Sequence, residues 1–192
     1  MSATLVIVLR AISLLAFATP RLFSVSGRRQ ALRTHSGQSY CDHVPVPANF
    51  TAFALFFLSL LTFPGTLEGY AALLLAMTGC PLALAGSSLV LRARMELGSA
   101  WSFVPVADEA MGLVTTGPYR FVRHPIYLGL SMLALGQTLA FASWPALFVL
   151  LAGISPTFVW RAAAEEKLLT AVFGERYVLY RRQTKMIIPH LL

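Results

Sequence analysis

Hydrophobic residues along the chain gather into five runs, each broken off by proline, glycine or charge. Residues 3–18 are apolar except for Arg10 and end at Thr19-Pro20. Residues 48–63 open after Pro47, a residue suited to a first helical turn, and stop at Pro64-Gly65. Residues 70–91 form the longest run, with Pro81 inside it as an expected kink and Gly79, Ala83 and Gly86 as small residues that permit close helix contact. Residues 126–142 and 146–160 are separated by Ser143-Trp144-Pro145 alone, enough for a tight antiparallel hairpin. A bilayer span takes roughly 20 mainly apolar residues, fewer where flanking side chains snorkel. The pattern therefore predicts an all-α, polytopic membrane bundle of about five transmembrane helices.

Composition points the same way. Of 192 residues, 57% are hydrophobic and 12% charged, about half the charged share of a soluble domain. With a mean hydropathy of +0.69, there is more apolar surface than a core of this size can hide. The net charge of +7 would suggest nucleic acid in a soluble protein, but its distribution removes that reading. Fourteen of the fifteen Lys and Arg fall after the first run, after the third, or in the tail, whereas the two opposite turns hold only Glu68. Cytoplasmic loops collect such charges, so an outside N-terminus and a cytoplasmic C-terminus are expected. Arg10 is the exception, costly at mid-helix, facing either a polar bundle interior or a headgroup.

Cys41 and Cys80 cannot build a disulfide framework. The N-terminal run lacks the basic start of a secretory signal and is read as mature structure. Residues 19–47 look like a loop, with a short interfacial helix at 26–32 and a remote metal candidate in His35, Cys41, Asp42 and His43. The chain reads as a single domain over 1–192, with helices one to three in 1–96 and the chemistry-bearing half in 97–192.

Polar residues crowd two places at the expected cytoplasmic end. In 112–129, Pro125 pushes His124 out of helical geometry and opens a helix, placing an imidazole beside free backbone donors. Tyr127 lies about one turn inside, Gly129 removes a side chain where a ligand could approach, and Gly117-Pro118 rigidifies the turn presenting Tyr119. The same residues would equally serve as an interfacial anchoring belt. In 160–174, alanines extend the fifth helix beyond the membrane to Gly174, with Arg161 and Glu165 four apart on one face, either paired with each other or serving a ligand. Tyr177 and Tyr180, with Arg181, Arg182 and Lys185, read as a tail returning to the headgroups.

Taken together in order, Leu113-Val-Thr-Thr-Gly-Pro-Tyr119, Arg123-His-Pro-Ile-Tyr-Leu-Gly129, and Glu165-Glu166 ahead of Phe173-Gly-Glu-Arg-Tyr-Val-Leu-Tyr180 resemble the isoprenylcysteine carboxyl methyltransferase family. That family belongs to a wider group of integral-membrane methyltransferases that includes phospholipid N-methyltransferases. The likeness covers about 101–189. It implies S-adenosylmethionine in a cytoplasm-facing pocket lined by Met111, Gly112, Leu113 and Val114, partly through backbone, with Tyr119, His124, Pro125, Ile126, Tyr127 and Glu165. It implies Arg161 as the catalytic residue facing a lipid-like acceptor, foremost the carboxylate of a prenylated cysteine, and no metal. It places the protein in the endoplasmic reticulum of a eukaryote or the inner membrane of a bacterium. This chain departs from it in having two glutamates where the eukaryotic enzymes carry a longer acidic run, and in its segment 19–47. A phospholipid amine acceptor, a sterol-type reductase and a non-catalytic membrane scaffold are the alternatives.

Overall fold

The computed structural model describes residues 2–22, 46–65, 67–98, 101 and 112–188. The proposed interfacial helix at 26–32 and the candidate ligands His35, Cys41, Asp42 and His43 lie outside these residues. The described chain forms α1 (Ser2–Leu22), α2 (Val46–Thr62), α3 (Gly69–Leu97), a 3-10 turn at Gly117–Arg120, α4 (Pro125–Phe141), α5 (Trp144–Phe173) and α6 (Glu175–Gln183). All five apolar runs are helices. Gly69–Leu97 and Trp144–Phe173 are long and apolar enough to cross a membrane, while Ala3–Phe17, Pro47–Thr62 and Pro125–Phe141 are apolar but shorter. Ile7, Leu15, Leu61, Leu74, Phe148 and Leu151 stand exposed along the bundle sides, a disposition suited to lipid and costly in water.

Small residues set the central contact. α3 and α4 run antiparallel so close that a Cβ added to Gly79 would fall 2.4 Å from the Gly136 carbonyl oxygen, and one added to Gly86 would fall 2.5 Å from that of Gly129. The small-residue expectation for α3 is thus met, and its partner stripe is Gly129 and Gly136 on α4. Gly129 packs on Gly86 and Val90, so its missing side chain serves helix packing and not the approach of a ligand. α1 runs parallel to α3, with Val6 against Ala72 and Ala76, and Ala16 against Ala83. The main core is built from Phe56 and Leu60 of α2, Leu150, Ile154 and Phe158 of α5, and Tyr127 and Phe141 of α4.

Side-chain hydroxyls answer two of the prolines inside helices. α1 continues through Pro20 to Leu22, past the expected end. Proline has no N–H for the carbonyl four residues back, and the Ser87 hydroxyl donates to that Ala16 oxygen at 2.7 Å. In α5, Pro156 would crowd the carbonyl four residues earlier, and the helix widens into a π segment at Leu150–Ile154. There both the Ser155 N–H and its hydroxyl (2.9 Å) donate to the Leu150 oxygen. α3 passes Pro81 as one unbroken helix. The α4–α5 hairpin is as tight as its sequence requires, with Ser143 capping Ala146 N–H and donating to the Phe63 carbonyl at 2.8 Å. Arg10 faces the bundle interior: its Nε donates to the Ala140 carbonyl at 3.0 Å and its guanidinium lies 5.4 Å from the Phe141 ring centroid. A cation at the carbonyl end of α4 offsets the helix dipole there.

This arrangement brings the C-terminal end of α3, the N-terminal end of α4, the last turns of α5 and all of α6 to one end of the bundle.

Candidate active site

Pro125, at the first position of α4, fixes its own φ and forces His124 into a non-helical conformation (φ −123°, ψ 63°) with no side-chain cap bond. The His124 carbonyl still starts the helix, accepting from the Tyr127 N–H at 3.1 Å. Its imidazole is therefore turned toward α5, where Nδ1 lies 3.5 Å from Glu165 Oε2 and Nε2 lies 3.6 Å from Glu166 Oε1. One turn into α4, the Tyr127 hydroxyl donates to Glu165 Oε1 at 2.5 Å, and Arg161 Nε donates to the same oxygen at 3.1 Å. His124, Tyr127 and Phe158 stack in sequence, with ring centroids 5.5 and 5.0 Å apart. The Tyr127 and Phe158 rings form an apolar floor beside the charged groups.

Adjacent residues on a helix point about 100° apart, and the two glutamates divide accordingly. Glu165 joins Arg161, Tyr127 and His124. Glu166 turns to the other side, taking Arg123 Nε on Oε1 at 2.6 Å, with Arg181 Nε 3.5 Å from Oε2. Burying two carboxylates is tolerable here because each meets cationic and hydrogen-bonding partners. His124, outside the helical spans, shows the balance. Burial alone would lower its pKa, but the polar and charge attraction of Glu165 and Glu166 outweighs that and raises it. The two carboxylates thus favour its protonated form.

A second layer fixes the loop ahead of His124. Gly117 takes φ 56° at the start of the 3-10 turn, and a Cβ there would fall 2.7 Å from Glu96 Oε2, while the neighbouring Thr116 hydroxyl donates to Glu96 Oε1. Tyr119 is buried, and desolvation pushes its hydroxyl pKa up. The Tyr180 hydroxyl of α6 donates to the Tyr119 carbonyl at 2.6 Å. Tyr177 and Tyr180 are buried beneath this loop, so this part of the tail supports the site and does not reach for headgroups.

Of the residues singled out from the sequence, the fold brings His124, Tyr127, Arg161 and Glu165 into one cluster. Pro125 is buried at the start of α4 and Ile126 is half-buried beside it. Gly112, Leu113 and Val114 form a half-buried irregular segment leading into the Gly117 turn. Met111 lies outside the described residues. The sequence reading passed over Arg123, Thr184 and Met186 as partners. Their signal was weak, since an ion pair 43 residues apart leaves no local spacing to read. Among the described residues there is no group of three or more His, Cys, Asp or Glu able to hold a metal.

The family model described as phospholipid methyltransferase matches residues 74–176, just over half of the chain. The chain belongs to the phospholipid methyltransferase family. Members of similar sequence include the protein-S-isoprenylcysteine O-methyltransferases of Schizosaccharomyces pombe, 29% identical over 54% of this chain and 45% of that protein, and of Saccharomyces cerevisiae, 28% identical over 62% and 50%. A methanethiol S-methyltransferase of Crocosphaera subtropica is 35% identical over 38% of this chain and 28% of its own. The chain thus spans half or less of the relatives it matches. A solved eukaryotic intramembrane Ras methyltransferase, an isoprenylcysteine carboxyl methyltransferase, superposes with a TM-score of 0.55 over 92% of this chain and 61% of the other, at 23% identity. That likeness shows a shared membrane fold. The matched family segment includes every member of the cluster from His124 to Glu165.

Proposed function

We propose that this protein transfers a methyl group from S-adenosylmethionine to an anionic acceptor carried on a membrane lipid, foremost the carboxylate of a prenylated cysteine. The observation that carries the reading is the Arg161, Glu165, Tyr127 and His124 cluster, set on family motif residues at one end of an apolar bundle. All five apolar helices cross the membrane in this reading, with the C-terminus in the cytoplasm, because the basic residues collect at the end that holds the cluster.

The donor set suits S-adenosylmethionine. The Glu165 side chain is 19% exposed, and its Oε2 stays 3.5 Å from its imidazole neighbour, which leaves acceptor capacity for ribose hydroxyls or an ammonium. In this reading Gly112, Leu113, Val114, Tyr119, Pro125 and Ile126, with Met111 before them, form the donor-side wall. Bound there, S-adenosylmethionine would supply an electrophilic methyl on its sulfonium, with a neutral thioether as the leaving group.

The protein's own contribution is placement and dryness. Sulfonium and carboxylate partly cancel in the transition state, so water solvates the separated charges better, and the Tyr127–Phe158 floor replaces that water with fixed groups. Arg161 holds one oxygen of the acceptor carboxylate and leaves the other to attack. A carboxylate needs no base, whereas a phospholipid ammonium would have to lose a proton first. His124 faces two carboxylates that favour its protonated form, which makes it a poor base for that proton. This favours the anionic acceptor.

The test is calorimetric titration of S-adenosylmethionine into detergent-purified protein, with a nicotinamide dinucleotide as comparison, followed by methyl transfer to a prenylated cysteine or to its carboxamide. Glu165→Gln is expected to lose donor binding; Arg161→Ala is expected to bind donor while turnover falls. Binding of the dinucleotide and not the methyl donor, or equal methylation of carboxylate and carboxamide, would refute the reading.

A further inference from the structure

The described chain ends in a strap that does not stop at α6. After Gln183 it runs back beneath the loop bearing His124. The Arg123 N–H donates to the Lys185 carbonyl at 2.8 Å, and the His124 N–H donates to the Met186 carbonyl at 2.9 Å, with Val122 and Lys185 paired in parallel. Ile187 is buried in the main core and Met186 packs against it. Arg123 closes the strap from its other side. Its Nη1 donates to the carbonyls of Thr184 and, at 3.2 Å, Arg181, while its Nε donates to Glu166 at 2.6 Å.

Glu166 is the hub of this arrangement. Its side chain is 6% exposed, and its two oxygens face Arg123, Arg181 and His124. They are turned away from the face where Arg161 meets Glu165. Nearby, Tyr177 is fully buried, and its hydroxyl has no hydrogen-bond partner among the described residues. The space around Glu166 is thus filled by the protein's own groups. A carboxylate that is almost wholly buried, accepts from Arg123 at 2.6 Å and lies beside Arg181 and His124 presents little surface to a ligand.

We infer that Glu166 is a positioning residue: with Arg123 it locks the strap at 184–186 to the loop at 122–124, and so sets where His124 and Glu165 stand when donor binds. This rests on the methyltransferase reading for what the positioning serves, but not for the lock itself. Neutralising Glu166 frees the Arg123 guanidinium and loosens the two strap hydrogen bonds, while Glu165 keeps its contacts with Arg161 and Tyr127. Neutralising Glu165 does the reverse. Side by side in sequence, the two glutamates then differ in what their loss does.

The experiment compares wild type, Glu166→Gln, Glu165→Gln and Arg123→Lys in detergent, by amide hydrogen exchange at Arg123 and His124 and by S-adenosylmethionine titration and methyl-transfer kinetics. Glu166→Gln and Arg123→Lys are expected to speed exchange at the two amides at least tenfold. They should also weaken donor binding about tenfold with kcat nearly unchanged, as the loss of one charged hydrogen bond predicts. Glu165→Gln should lose donor binding with exchange unchanged. Unchanged exchange in Glu166→Gln, whether or not donor binding falls, would overturn the lock and, if binding is lost, make Glu166 a direct ligand. If wild type binds no methyl donor, the functional reading fails, and the exchange comparison still decides the lock. Arg123→Lys, which keeps the charge and loses the fork, guards against a Glu166 variant that does not fold.

Discussion

Gly129 separates two explanations of one missing side chain, and Gly129→Ala decides between them. A Cβ at this position would lie 2.7 Å from Val90 Cγ2, 2.8 Å from the Gly86 carbonyl oxygen and 3.1 Å from the Val90 nitrogen. Ordinary contact between such atoms begins near 3.5 Å, so α3 and α4 would have to part by about 0.7 Å. Overpacking of that kind costs about 1 to 3 kcal/mol, offset by about 1 kcal/mol from replacing a helical glycine with alanine. The net expectation is a loss of up to about 2 kcal/mol. Gly153→Ala is the control, because its Cβ would meet nothing closer than 3.6 Å, and it should leave stability unchanged or slightly raised. Equilibrium unfolding by added dodecyl sulfate in mixed micelles reads the difference, and donor binding per mole of folded protein is measured alongside. A Gly129→Ala protein as stable as wild type but unable to bind S-adenosylmethionine would refute the packing argument and show a ligand at that face.

Two further outcomes follow from buried charge. Arg10→Leu removes the donor to the Ala140 carbonyl and the cation at the end of α4, and should cost about 1 to 3 kcal/mol in the same unfolding assay, since a hydrogen bond to a charged group is lost; unchanged stability would mean that Arg10 is merely tolerated. The raised pKa of His124 means that its contribution to stability is complete below the ordinary histidine value of about 6.5 and is lost as pH rises through the raised folded value. Unfolding measured across that interval should show stability falling with pH in wild type and a flatter profile in His124→Asn; parallel profiles would show that the glutamates do not hold the proton.

The helices were legible because their physics is local. Runs of apolar residues closed by Pro64, Gly65, Ser143 and Gly174 mark ends that the backbone itself demands, and they fall within a few residues of where the helices stop. The end of α1 was not legible: Pro20 looked like a terminus because the hydroxyl that satisfies the Ala16 carbonyl belongs to Ser87, on another helix. The cluster of His124, Tyr127, Arg161 and Glu165 was available through motif resemblance, but composition could not tell it from an interfacial belt. Gly129 and the tyrosines of α6 were misread for the same reason. What a glycine or a tyrosine does depends on the element across from it, and no spacing within one helix names that element.

The π segment of α5 has a consequence for where the chemistry points. Ala146, Leu150, Ile154, Phe158, Ala162 and Glu166 are all buried, at a strict interval of four. In a regular α-helix four residues overshoot a full turn by about 40°, so such a stripe would wind some 200° around the axis between its first and last members. The wider turn at Leu150–Ile154 winds back part of that drift and keeps the stripe facing the core as far as Glu166. Helical phase at Arg161, Glu165 and Glu166 is therefore set about two turns upstream, by Pro156 and by the Ser155 hydroxyl on the Leu150 carbonyl. Removing one residue there would swing both glutamates by about 100°, with every side chain of the site still present and none aimed at its partners.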